Sequence, residues 1–254
     1  MNITKGVVYA AEWNYDFLPY SKSIPFEMIP FIDKPLIELI IRELLDSNIE
    51  EILIITNKHK KILEDYFDKE IELENIIEKE KNNQKLNKIL EMSDLHNIHY
   101  VHQKNSTNSV HILELSKRFI NKNAFALVYP RSLFFTDTPP IKQMLDHYEE
   151  TGKSIIGVAK ENSQNNLKPD LHCEINNDLL HFTPNAANKK TISENQKYIN
   201  GNRYIFTPDI LNYVDGIFHN PNSVEQLLMS KASILIEKRQ ILAKIIEGDH
   251  LVLA

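Results

Sequence analysis

Between Lys5 and Thr56 the chain reads, in order, "KGVVYAA" (Lys5–Ala11), "EWNYDFLPYSKSIPFEMIPFID" (Glu12–Asp33), "KPLIELIIRELLDSNI" (Lys34–Ile49) and "EEILIIT" (Glu50–Thr56). The first and last runs are short, apolar and rich in β-branched residues, and the third repeats apolar residues three and four apart. That pattern predicts strand, loop, helix, strand. Two strands joined through a crossover helix run parallel, so the stretch sets an α/β class. Working outward, "NIHYVHQ" (Asn97–Gln103), "AFALVYP" (Ala124–Pro130) and "KSIIGVA" (Lys153–Ala159) predict further strands. "HKKILEDYFDKE" (His59–Glu70) and "TPPIKQMLDHYEETG" (Thr138–Gly152) predict helices, the second closed by Gly152 as its C-cap. The expected fold is α/β, a doubly wound, mainly parallel sheet.

Past residue 160 the texture changes. "KENSQNNLKPD" (Lys160–Asp170) and "NAANKKTISENQ" (Asn185–Gln196) are polar and predict exposed loops, with short strands near Leu171–Glu174, Leu179–Phe182 and Arg203–Phe206. These form a small β-rich insertion in the C-terminal half. The tail, Val224–Gly248, predicts a helix running into a last strand. One domain over residues 1–254 is expected.

Composition narrows the function. At 254 residues and 42% hydrophobic the chain can bury a large core. Its N-terminus has no extended apolar signal region, and no run of ~18 uninterrupted apolar residues occurs, so secretion and membrane spanning are not expected. A single cysteine, Cys173, leaves no internal disulfide framework and suits a reducing, cytoplasmic compartment. The net charge of -6, with lysines dispersed among acids, offers no basic stripe for a phosphate backbone, so a nucleic-acid partner is not expected.

Glycine supplies the firmest exclusion. None lies between Gly6 and Gly152. Phosphate loops turn backbone N–H groups inward at φ values that other residues disfavour, and a Cβ there blocks the phosphate. Neither GxGxxG nor a Walker loop can exist in the first half. Two other constellations also fail. His96, His99 and His102 resemble a metal site, but on a strand His99 and His102 point to opposite faces. Cys173 beside His172 cannot converge as nucleophile and base for the same reason.

The run Phe17–Thr56, followed in order by "LEDYFD" (Leu63–Asp68), "NIHYVHQK" (Asn97–Lys104), "HYEETGKSIIGV" (His147–Val158) and "NRYIFTPDIL" (Asn202–Leu211), resembles bacterial UTP–glucose-1-phosphate uridylyltransferase. The resemblance spans the chain and is weakest from Ser163 to Ile199. It implies a nucleotide-binding-type half over 1–160, a sugar-binding-type half over 161–254, and a family reaction in which UTP and glucose 1-phosphate give UDP-glucose with Mg²⁺.

Position by position, the resemblance also implies losses. The family's G-L-G-T-R loop aligns with Glu12, Trp13, Asn14, Tyr15 and Asp16, so a carboxylate replaces the arginine that neutralises the triphosphate. The lysine of its P-K-E-M becomes Phe26, while Lys22 is kept. Its metal-binding G-D-D aligns with Pro130, Arg131 and Ser132, and a guanidinium repels Mg²⁺. Gln103 and Lys104 keep the places of the uracil-reading pair, whereas Asn108–His111 replace G-L-G-H. Phe182 and Thr183 stand for a glutamate and lysine that meet the sugar and its phosphate; Val224 and Met229 stand at acidic positions beside a retained Gln226; Val252 falls near a second metal-binding aspartate.

The resemblance therefore implies a degenerate member. The expectation is a pseudoenzyme without catalytic residues or a metal, degenerate at Asp16, Phe26 and Arg131, with Lys22, Gln103, Arg131 and Gln226 as vestigial binding candidates. Its expected partners are an active paralogue or another sugar-nucleotide enzyme. One alternative is residual uridylyltransferase activity with metal ligands recruited from Asp137 or Glu12. The other is a metal-independent sensor of a nucleotide or sugar phosphate built on Arg131, with Trp13 or Tyr15 stacking on a base.

Overall fold

The computed structural model describes residues 3–93, 95, 97–104, 111–160, 172–176, 179–183, 198–211 and 241–253. In chain order, β1 (Lys5–Tyr9) leads through 3-10 turns at Tyr20–Lys22 and Phe26–Met28 to a small ribbon, β2 (Pro30–Phe31) and β3 (Lys34–Pro35). Then come α1 (Leu36–Asp46), β4 (Glu51–Thr56), α2 (Ile62–Phe67), α3 (Ile71–Lys79), α4 (Asn83–Ser93), β5 (Ile98–His102), α5 (His111–Ile120) and β6 (Phe125–Val128). The second half holds β7 (Ser132–Phe135), α6 (Pro140–Thr151), β8 (Ser154–Lys160), β9 (His172–Asn176), β10 (Leu179–Thr183), β11 (Tyr198–Phe206), β12 (Ile241–Ile245) and β13 (Asp249–Val252).

The main sheet runs β10-β9-β11-β6-β1-β4-β5, with β8 beside β11 and β12 beside β8. Strand β1 is parallel to β4 and β6, β4 to β5, and β12 to β8. The inner strands β1, β4 and β6 are largely apolar because both their faces are covered, whereas the edge strand β5 carries exposed His99 and His102. Val7 and Tyr9 of β1 point to the side packed by Ile112, Leu113 and Ile120 of α5; Val8 points to the side packed by Ile37, Ile40 and Leu44 of α1 and by Ile141 and Met144 of α6.

The mainly parallel α/β architecture is the expected one, with one departure. Strand β11 lies antiparallel between β6 and β8 and joins the two parallel blocks. Its register shifts between Asn200 and Tyr204, where Asn202 adopts φ 58°. Helix α6 ends as expected, at Gly152 with φ 64°. The strands expected near 171–182 are β9 and β10, and the expected last strand is β12; the tail helix, with Gln226, lies outside the described residues. Helices α3 to α5 and strands β7 and β13 go beyond the sequence expectation. Among the described residues no helix is long and apolar enough to cross a membrane.

Candidate functional site

Parallel strands end together, so the loops after β1, β4, β5 and β6 meet at one edge of the sheet, the edge where open α/β sheets hold ligands. The loop after β1 is fixed from below. Ala10 N donates to Ile55 O at 2.8 Å, Asn57 Nδ2 to Ala11 O at 2.7 Å, and Lys60 Nζ to Glu12 O at 2.6 Å. Lys60 also donates to both carboxylate oxygens of Glu27, at 2.7 and 2.9 Å, and both side chains are buried. Burial pushes the Glu27 carboxyl up, against the pull of the Lys60 ammonium. Two carbonyls of the β1 loop are thus held by side chains of the β4–α2 loop.

Phe26 is 4% exposed, and its ring lies 5.1 Å from that of Phe17, so the position where the resemblance implies a cation is part of the core. Trp13 tilts over the His59 ring with centroids 5.6 Å apart. Glu12, Trp13, Lys22, Phe26, His59 and Lys60 are among the residues lining a cavity of about 20 Å³, room for about one water. Asp16 departs from expectation. Its N–H closes a turn on Asn14 Oδ1 at 3.0 Å, and its side chain is exposed outside the cavity lining instead of facing into it. Tyr15, 74% exposed, also stands outside, so only Trp13 of that pair is placed against the cavity.

Arg131 reaches across from the end of β6, and its Nη2 pairs with Glu12 Oε2. Both side chains are about a third exposed, at 32% and 29%. Beside them is the buried hydroxyl of Tyr9, near the Gln103 side chain; burial first, then the Glu12 charge, raises its pKa. Gln103 is itself 5% exposed and anchored by its N–H to Thr56 O at 2.8 Å. The structure therefore brings Gln103 and Arg131 to Tyr9 and Glu12, while Lys22 lines the small cavity that Glu12 also lines. Lys104 is exposed.

Glu12 and Asp137 do not come together as an alternative metal pair: Asp137 belongs to a separate open hollow of about 420 Å³ with Asp146, Glu150 and Glu247. His99 packs its ring on Phe119, whereas His102 pairs with Glu64 at 2.5 Å. The sequence reading missed Asn57, Lys60, Glu27 and Tyr9. No spacing rule links them, because their contacts join residues far apart in the chain.

A family profile described as nucleotidyl transferase matches residues 17–249. A UTP–glucose-1-phosphate uridylyltransferase of Staphylococcus epidermidis is 33% identical over 253 residues, spanning 98% of this chain and 86% of that protein. The chain belongs to this nucleotidyltransferase family. A uridylyltransferase of Staphylococcus saprophyticus is similar at 34% identity over 85% of the chain and 76% of that protein. Among solved structures, UTP-bound UGPase from Acinetobacter baumannii superposes with TM-score 0.82 at 21% identity, covering 99% of this chain and 89% of that one, a likeness of fold. An apo UDP-glucose pyrophosphorylase gives TM-score 0.79 at 25% identity, covering 99% and 93%.

Proposed function

We propose that this uridylyltransferase-like chain acts by binding and does not make UDP-glucose, serving as a regulatory partner of an active paralogue or of another sugar-nucleotide enzyme. The observation that carries the reading is the Arg131–Glu12 pair, which spans the ends of β6 and β1 where the family's chemistry would need metal and phosphate. The groups present do not fit Mg²⁺. Arg131 supplies a cation at the expected ligand position, it engages the nearby Glu12 carboxylate, and no three metal-binding side chains converge among the described residues. The small cavity and the buried Phe26 support the same reading.

Purified protein, freed of contaminating enzyme, is assayed for UDP-glucose formation from UTP, glucose 1-phosphate and Mg²⁺. The expected result is no turnover, together with a stoichiometric partner on native co-purification. Turnover that vanishes on unfolding the protein would overturn the proposal. It would favour the second reading, residual uridylyltransferase activity, which the 33% identity over 98% of the chain supports.

A further inference from the structure

The hairpin of β2 and β3 turns through Ile32 and Asp33, since Phe31 pairs with Lys34 across it. Ile32 takes φ 64° there. Tight hairpin loops with a positive φ at their first position favour glycine or asparagine, and a β-branched side chain in that region is strained. Ile32 is also 92% exposed, more than any other large hydrophobic side chain among the described residues, and belongs to neither core cluster. The free chain thus holds this side chain in water and in an unfavourable backbone region at once. Strain of this kind gathers at working surfaces. Behind the tip, Phe31 meets Phe135 with ring centroids 5.7 Å apart, and Phe135 is itself 48% exposed at the end of β7. From Phe135 the chain runs directly into the open hollow of about 420 Å³, whose carboxylates are Asp137, Asp146, Glu150 and Glu247, accompanied by Lys244 and His147. Lys142 pairs with Asp146 at 2.8 Å and His147 lies 3.6 Å from Glu150, whereas Asp137 and Glu247 have no ion-pair partner among the described residues. Asp249, opposite Phe135 in β13, adds an exposed carboxylate at the same edge.

The geometry points to a docking surface for another protein: the tip of Phe31, Ile32 and Phe135 receives apolar side chains, and the hollow beside it receives a lysine or arginine of the same segment. Charge selects the occupant. An apolar tip that continues into an acidic hollow attracts a basic, apolar segment and rejects an acidic one of the same shape. A second copy of this chain would bring a net charge of -6 to that edge, so the partner is a different, basic one. None of these residues lines the cavity beside Glu12, and the surface therefore serves the chain whether or not the crevice is catalytic.

The probe is a fluorescently labelled amphipathic peptide of leucine and lysine, with polylysine and a leucine–glutamate peptide of equal length as controls. Each is titrated by fluorescence anisotropy against the whole chain and against Ile32→Asn, Phe135→Ser and the double variant Asp137→Lys with Glu247→Lys, with circular dichroism to show that every variant is folded. Saturable binding of the leucine–lysine peptide is expected, weakened about five- to tenfold by Ile32→Asn and by Phe135→Ser. The double charge reversal should weaken it roughly three- to tenfold, and added salt should weaken it in the native protein. Ile32→Asn should raise the melting temperature while it lowers affinity, because asparagine tolerates the positive φ; a tip that serves the fold alone would not separate the two. No saturable binding, polylysine binding as tightly as the leucine–lysine peptide, or affinity unchanged in both Ile32→Asn and Phe135→Ser overturns the inference. So does a dimer in sedimentation that Ile32→Asn dissociates, since it gives the tip to a second copy of the chain.

Discussion

Arg203 donates through Nε and Nη2 to the two carboxylate oxygens of Glu43, at 2.8 and 2.7 Å, and its side chain has no exposed surface. This pair ties β11 to α1 through the interior. Removing one partner strands a buried charge, so Arg203→Met should cost about 3–5 kcal/mol in urea unfolding. Adding Glu43→Leu should recover much of that. A single-variant loss under about 1 kcal/mol would show that the pair is not held as described.

Acid should weaken the fold through His250. Its ring stacks on Phe134 at 4.4 Å, and burial, then the Arg203 charge, hold its pKa down to about 4 from 6.5. Between those values the unfolded chain takes up a proton that the folded one refuses. Its contribution is therefore complete above about pH 6.5 and falls as pH drops toward 4, by roughly 3 kcal/mol. His250→Phe should flatten that part of the stability–pH curve, and an unchanged slope would assign the acid sensitivity elsewhere.

Lys60→Met should leave the Glu27 carboxylate buried without its cation, with a folded pKa raised further. A carboxyl raised in the folded state loses stability as pH rises. The deficit of the variant should thus be larger at pH 7 than at pH 5, measured by thermal unfolding in matched buffers. A deficit independent of pH would contradict the buried ion pair.

Gly157 sits where β8 passes under α6. An added Cβ would lie 2.7 Å from Ile246 Cδ1, 2.9 Å from Met144 Sδ and 3.1 Å from the Arg203 carbonyl oxygen. Gly157→Ala should cost roughly 1–3 kcal/mol as overpacking, and Ile246→Val in the same background should relieve part of it. A neutral Gly157→Ala would mean that this contact is looser than the distances imply.

How much of this could be read beforehand follows from where each signal resides. Strands β1 and β4 are legible because both their faces are buried and their residues are apolar without interruption. Strand β11, "YINGNRYIF", is longer than expected, because Asn200, Gly201, Asn202 and Arg203 look like a turn and are in fact buried, and Arg203 is matched only by Glu43 in distant α1. The direction of β11 is a tertiary outcome that no local period encodes. At the site, alignment with the family placed Arg131 and Glu12 in one crevice. Their pairing crosses 119 positions, and Asp16 turns away through a local bond to Asn14 that the aligned motif does not contain.

The antiparallel seating of β11 between β6 and β8 has a kinetic corollary. The parallel block β6-β1-β4-β5 is complete by Val128, whereas among the described residues β8 and β12 pair into it through a strand that begins at Tyr198. Amide protons of β11 and of the β6 and β8 edges that it joins should therefore exchange with solvent only on global opening, while those of the peripheral α3–α4 pair exchange through local fraying. Because it joins the two parallel blocks, β11 should be among the last strands to let go.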